Sequence, residues 1–106
     1  MTRAHVAVVR TPVYAGYESL ARALDEALDE AQEGKGRERH AVTGRAFEEQ
    51  QIVVVGEWMD STAFNIGQAV KKAIESMRLP YPRARLELLG AVNYLVGAVL
   101  ILDRRD

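Results

Sequence analysis

Residues 86–102 are the most continuously apolar stretch of this 106-residue chain, and they constrain its fold more than any other segment. Three positions in the stretch are polar or amphipathic, namely Glu87, Asn93 and Tyr94. A helix with this pattern is apolar around nearly its whole circumference, so it has to be buried on most sides. It is shorter than the ~20 residues that a bilayer-spanning helix normally needs. We therefore predict a core helix over residues 84–102.

Gly90 and Gly97 lie seven residues apart in this helix, where they would let another helix approach closely. Two other helices in one chain cannot easily surround a helix that is apolar on every side, so we expect subunits to share a helical core, most simply in a dimer. A buried asparagine must have its hydrogen bonds satisfied, and Asn93 is expected to hold helices in register, with ligand contact as the alternative. A strand over residues 98–102 stays open as an alternative.

Two amphipathic helices precede the apolar stretch. Over residues 17–33 apolar side chains recur at helical spacing, and Gly34 is suited to end the helix. A second helix over residues 62–78 follows Asp60 and Ser61, either of which can cap it. Two prolines in residues 79–82 form a stiff turn before the third helix. Residues 62–102 are therefore predicted to form a packed helical hairpin.

Two short β-branched runs, His5–Arg10 and Ile52–Val55, have the composition of strands. Two strands alone are marginally stable, so they would have to pack on the helices. A chain of this length has room for one core. We predict a single domain over residues 1–106, mainly α with three helices and a short two-stranded β element, and an all-α bundle is the alternative.

The composition limits the classes of function. The absence of cysteine excludes thiolate catalysis and cysteine-ligated zinc, and two histidines are too few for a multi-histidine metal centre. The net charge of −1 lacks the basic excess of a general nucleic-acid coat. The first apolar run is too short for a secretory signal. We expect a cytoplasmic protein without a membrane or nucleic-acid partner.

Positive charge is concentrated in the glycine-punctuated run GKGRERH, residues 34–40, and continues to residue 45. Arginine can bind phosphate through paired hydrogen bonds, and glycine lets backbone N–H groups turn toward an anion. The alternative role is to balance the acidic end of the preceding helix, where carboxylates are unfavourable. The candidate ligand-binding residues of this run are Lys35, Arg37, Arg39, His40 and Arg45.

Phe64 and Asn65, near the start of the second helix, complete the candidate ligand site. Free N–H groups at a helix start favour anions, an aromatic ring can stack on a nucleotide base, and an amide can read the edge of that base. Phe64 also belongs to the apolar stripe of its helix, so core packing is the alternative for it.

Acidic residues recur at i and i+4 in the first helix, and a pair with Glu-x-x-Asp spacing follows after residue 56. This arrangement, together with the segment ELLGAVNY at residues 87–94, resembles MazG-like all-α nucleotide pyrophosphohydrolases, although Gly90 or Ala91 replaces the metal-binding aspartate of that helix. The resemblance implies Mg²⁺ as the cofactor of this alternative. Its metal shell would be Asp25, Glu26, Asp29, Glu57 and Asp60.

The segments GKGRERHA, FEEQQI, FNIGQAVKKAIES and ELLGAVNYLVGAV also resemble small, uncharacterised helical proteins of phage type. This resemblance implies an accessory role in nucleotide metabolism or in evading host defence. Together with the residue inventory, it favours a homo-oligomeric protein that binds a phosphorylated, nucleotide-like ligand, sequestering a signalling nucleotide without catalysis or cofactor. The alternatives are the Mg²⁺-dependent pyrophosphohydrolase and a structural interaction module.

Overall fold

A computed structural model describes residues 7–8, 10–33 and 46–105 of the chain. In these residues four α-helices follow one another: α1 (Glu18–Glu33), α2 (Gln51–Met59), α3 (Ala63–Ser76) and α4 (Tyr81–Arg105). A single 3₁₀ turn over Phe47–Glu49 precedes α2. The described ranges contain no strand, so the prediction of a two-stranded β element is wrong, while the mainly α class is confirmed.

Helix α1 begins after a turn in which the Tyr17 N–H donates to the Tyr14 carbonyl oxygen at 3.0 Å. Gly16 has a φ of +94°, a conformation that glycine adopts without steric cost, and its N–H donates to the Glu18 carboxylate at 2.5 Å. The helix covers all but the first residue of the predicted range, because its apolar and charged residues alternate with helical period.

The predicted strand Ile52–Val55 lies inside α2. Ile52, Val53 and Gly56 are buried at helical spacing, and they contact α3 and α4. The β preference of valine and isoleucine is weak and context-dependent, and burial of one face of a helix outweighs it here. Of the predicted strand His5–Arg10, residues 7, 8 and 10 are described and have no regular secondary structure.

Helices α3 and α4 form the predicted hairpin. Thr62, and not Asp60 or Ser61 as predicted, is the N-cap residue of α3, although the Ser61 hydroxyl accepts a hydrogen bond from the Ala63 N–H at 3.0 Å. Asp60 instead ends α2 in the left-handed conformation, with a φ of 52°. Helix α4 begins three residues before the predicted start, since Pro82 lies in its first turn, where no N–H donor is needed. The strand alternative for residues 98–102 is wrong, because α4 continues to Arg105.

Helix α4 is the central element and packs on α1, α2 and α3. The core consists of Ile52, Val53, Ala69, Ala91, Tyr94 and Ile101, with Phe47, Phe64 and Leu100 packed against it. Both glycines of α4 lie where another helix approaches, as the sequence predicted. A methyl group on Gly97 would come within 2.5 Å of Asn65 Nδ2, and one on Gly90 within 3.2 Å of the Lys72 side chain.

By length and composition α4 also meets the criteria for a helix that crosses a membrane. About two-fifths (39%) of its most apolar 18 residues are buried inside the molecule. One such helix is weak evidence for a membrane span, because a core helix and a signal sequence pass the same test.

Candidate functional site

A cavity of about 280 Å³ lies where the end of α1, the middle of α4 and the 3₁₀ turn meet. Its walls combine apolar side chains with three carboxamides, and its lining residues are Leu28, Ala31, Gln32, Phe47, Gln50, Asn93 and Val96. A carboxamide both donates and accepts hydrogen bonds, so three of them can recognise a ligand edge that carries both kinds of group. The cavity therefore brings hydrogen-bonding groups and an apolar surface together in one place.

Each carboxamide reaches the cavity from a different element. Asn93 projects from α4 and donates from Nδ2 to the Ala27 carbonyl oxygen of α1 at 2.9 Å, so it joins two helices as its place in an apolar helix predicted. Gln32 lies in the last turn of α1, and Gln50 is buried at the start of α2. The Phe47 ring, half-buried in the 3₁₀ turn, supplies an aromatic wall.

The predicted basic residues Lys35, Arg37, Arg39, His40 and Arg45 lie outside the described residues. In the sequence they fall between Gln32 and Phe47, both of which line the cavity. The connection between these two lining residues therefore carries all five cationic or histidine side chains of the predicted anion site.

Phe64 and Asn65 lie in the core and do not line this cavity. The Asn65 side chain is 0% exposed, and its Nδ2 donates to the Ile52 carbonyl oxygen at 2.6 Å and to the Tyr94 carbonyl oxygen at 3.0 Å. The Phe64 ring packs edge-on against Tyr94 with ring centroids 6.3 Å apart. Both side chains are engaged in packing α3 against α2 and α4.

Four of the five acidic residues considered for a magnesium shell form ion pairs with arginines. Asp25 pairs with Arg10, Glu26 with Arg85, Glu57 with Arg104 and Asp60 with Arg105. Within the ranges that the structure describes, no three acidic, histidine or cysteine side chains are grouped so as to hold a metal ion. The four carboxylates instead attach α1, α2 and the segment before α1 to their neighbours.

The ion pair between Glu26 and Arg85 shifts both ionisation equilibria. The hydrogen bond from Arg85 lowers the pKa of the Glu26 carboxyl, and the same bond raises the pKa of Arg85. Likewise the hydrogen bond to Asp25 raises the pKa of Arg10. All these side chains are well exposed, so each pair contributes modestly to stability.

A second, wider groove of about 580 Å³ runs along α1 beneath residues 10–14. Its remaining walls are Tyr17, just before α1, and Leu20, Ala21 and Leu24 of α1. Arg10, the one cation at its edge in the described residues, is paired with Asp25. The groove lacks the converging carboxamides of the smaller cavity, so it offers fewer groups that could orient a polar ligand.

Sequence reasoning did not identify Gln32, Phe47 or Gln50 as site residues. Residues 47–52 form the segment FEEQQI, which contributes only to a family resemblance. Spacing along the chain does not indicate that these residues meet the end of α1. A scan against models of known families finds no match, and neither the curated proteins nor the solved structures contain a significant one.

Proposed function

We propose that this protein binds a phosphorylated, nucleotide-like ligand, with the base in the carboxamide cavity and the phosphates on the basic run. The observation that carries the proposal is the cavity between α1, α4 and Phe47, whose lining residues Gln32 and Phe47 flank that run in the sequence. Bases are commonly recognised by stacking on an aromatic ring and by hydrogen bonds to their edges. The ring of Phe47 can stack on a base, and the three carboxamides can form hydrogen bonds to the edge of that base.

The size of the cavity supports a ligand part no larger than a base. Ligand pockets commonly measure roughly 300–1,000 Å³, and this one, at about 280 Å³, is at the lower end of that range. The charged part of the ligand would therefore lie outside it. Lys35, Arg37 and Arg39 would neutralise phosphates there, with His40 and Arg45 adding hydrogen bonds.

The proposed activity is sequestration without chemistry. No observation among the described residues favours the pyrophosphohydrolase alternative, because four of its five proposed metal ligands are paired with arginines. The cavity itself contains amides and apolar groups but no carboxylate, so binding is the role that its lining supports.

The direct test is to incubate the protein with linear and cyclic nucleotides, with and without Mg²⁺, and to identify what the washed protein releases on denaturation. We expect intact nucleotide in both conditions. Recovery of monophosphate and pyrophosphate only in the presence of Mg²⁺ would support the enzyme instead. If the protein retains none of these nucleotides, the binding proposal is wrong.

Two variants locate the site. Arg37→Ala combined with Arg39→Ala should weaken nucleotide binding by at least ~10-fold in calorimetric titration, because two charge-assisted contacts are lost. Val96→Trp should abolish binding by filling the cavity, and far-UV circular dichroism checks that it folds. The matched control is Arg78→Ala with Arg83→Ala, which removes the same charge from exposed positions away from the cavity and should leave affinity unchanged.

A further inference from the structure

The α3–α4 hairpin carries two stripes of large apolar side chains that are exposed to solvent. Each of these side chains is about half exposed or more, although monomeric proteins usually scatter such residues singly. The stripe on α3 consists of Ile66, Val70 and Ile74 and is continued by Met77, the C-cap residue, and the stripe on α4 consists of Leu88, Leu95, Val99 and Leu102.

The two stripes lie on the same side of the hairpin. The helices are antiparallel, since Lys72 pairs with Glu87 while Asn65 bonds to Tyr94. Successive residues of a helix are rotated by about 100° around its axis. On each helix, the stripe is rotated in the same sense away from the line of residues that contacts the other helix. Because the helices are antiparallel, a rotation in the same sense on each of them places both stripes on one side of the hairpin. We call the eight side chains together the hairpin face.

Helix α2 covers the opposite side of the hairpin. It contacts Asn65, which lies on the contact line, and Gly97, which lies on the other side of that line from Leu95 and Leu102. The hairpin face therefore has no covering element in the described part of the chain, whereas α2 covers part of the other side of the same two helices.

Gly67, which borders this face on α3, is unexplained by the packing of the residues that the structure describes. A methyl group at Gly56, Gly90 or Gly97 would meet a neighbouring helix, but at Gly67 nothing lies within 4 Å. Glycine inside a helix costs about 1 kcal/mol relative to alanine. Glycine at this position leaves room for a second helix to approach closely, and no helix among the described residues occupies that place.

We propose that the hairpin face binds the hairpin face of a second copy of this chain, with Gly67 at the point of closest helix approach. At roughly 100 Å² for each half-exposed aliphatic side chain, the face offers on the order of 800 Å², the area that each partner contributes to a standard interface. An interface of this kind presents the same patch from both subunits. It would also cover the exposed side of α4, the helix that is apolar on nearly every side.

A lipid surface fits this face less well than a second copy does. The uncharged part of α4 is limited to residues 88–102, between Glu87 at one end and Asp103 at the other. A helix lying on a membrane is typically rich in lysine and arginine along its polar face, and α4 carries its basic residues only near its two ends. The proposal does not depend on the nucleotide-binding function.

The test is sedimentation equilibrium of the full chain from low- to high-micromolar concentration. We expect a monomer–dimer equilibrium, and we expect Val70→Lys and Gly67→Phe each to raise the dimer Kd by at least ~10-fold. Both positions are exposed in the single copy, so circular dichroism should show unchanged helix content. Trp58→Lys is the matched control, because Trp58 is 82% exposed on α2, and its dimer Kd should equal that of the wild type.

Four results would overturn the proposal. The first is a wild-type chain that sediments as a monomer at every concentration, and the second is a dimer that Val70→Lys and Gly67→Phe leave intact. The third is flotation of the wild-type chain with neutral phosphatidylcholine vesicles that Val70→Lys abolishes, which would identify a lipid surface as the occupant. Equal dissociation by Trp58→Lys would assign the interface to a different face.

Discussion

At the scale of single residues, the buried side chain of Asn65 links several helices. Its amide donates to carbonyl oxygens of both α2 and α4 from a position in α3, so one side chain joins three helices. Its Oδ1 has no hydrogen-bond partner in the described residues. The side-chain hydrogen bonds at this position are therefore made by the amide N–H donors of Asn65 and not by its Oδ1.

We predict that Asn65→Asp lowers the free energy of unfolding by about 3 kcal/mol or more at neutral pH. The substitution removes both donors and leaves a buried carboxylate facing two carbonyl oxygens. At pH 4 the loss should shrink, because a protonated carboxyl group regains one donor. Urea unfolding followed by circular dichroism at both values measures this. Gln68→Glu, which adds the same charge at a less buried position of α3, should cost less than ~1 kcal/mol. Equal costs for the two variants would contradict the prediction.

At the scale of elements, the glycines of α4 set how closely its neighbours pack. We predict that Gly97→Ala lowers the free energy of unfolding by about 1–3 kcal/mol, because its methyl group would lie 3.0 Å from the Ile52 carbonyl oxygen and closer still to Asn65. Gly90→Ala meets only the flexible Lys72 chain at 3.2 Å, and it gains helix propensity, so its effect should stay within ~1 kcal/mol. Chemical denaturation of both variants makes the comparison. A Gly90→Ala cost equal to that of Gly97→Ala would show that helix proximity is not the cause.

At the scale of the whole molecule, polar contacts help to attach α1 to the hairpin, among them Glu26–Arg85 and Asn93 with the Ala27 carbonyl oxygen. Because Arg85 lowers the pKa of Glu26 in the folded state, this pair stabilises the fold at pH values above the ordinary glutamate pKa of about 4.3. The contribution is lost as pH falls through the lowered pKa. We predict that wild-type protein melts above Glu26→Gln at pH 7 and that this difference is smaller at pH 3, as measured by thermal unfolding.

The matched control for this acid dependence is Glu33→Gln, which removes a carboxylate from the exposed last turn of the same helix. Removing a negative charge near a helix C-terminus is neutral or slightly favourable, so this variant should not melt below the wild type at pH 7. A Glu26→Gln deficit that is the same at both pH values would assign the effect to packing instead of to the ion pair.

Local pattern predicted the amphipathic helices well. The expected ranges 17–33 and 62–78 differ from α1 and α3 by at most two residues at either end, since one apolar face of a helix is visible in a window of a few turns. The predicted start of α4 is three residues too late, because Pro82 is expected in a turn but occupies the first turn of the helix. Ile52–Val55 was mistaken for a strand because its composition carries a β preference that only packing could overrule.

The sequence by itself determined the mainly α class, the hairpin and the central place of residues 86–102, because these depend on the period and length of apolar patterns. Only the tertiary structure decided that α2 is a helix, that Asn65 is buried between three helices, and that four acidic side chains pair with arginines. It also decided that Gln32, Gln50 and Asn93 converge on one cavity. These outcomes depend on distances between residues that are far apart in the chain, and such distances are set by how helices pack rather than by any local period.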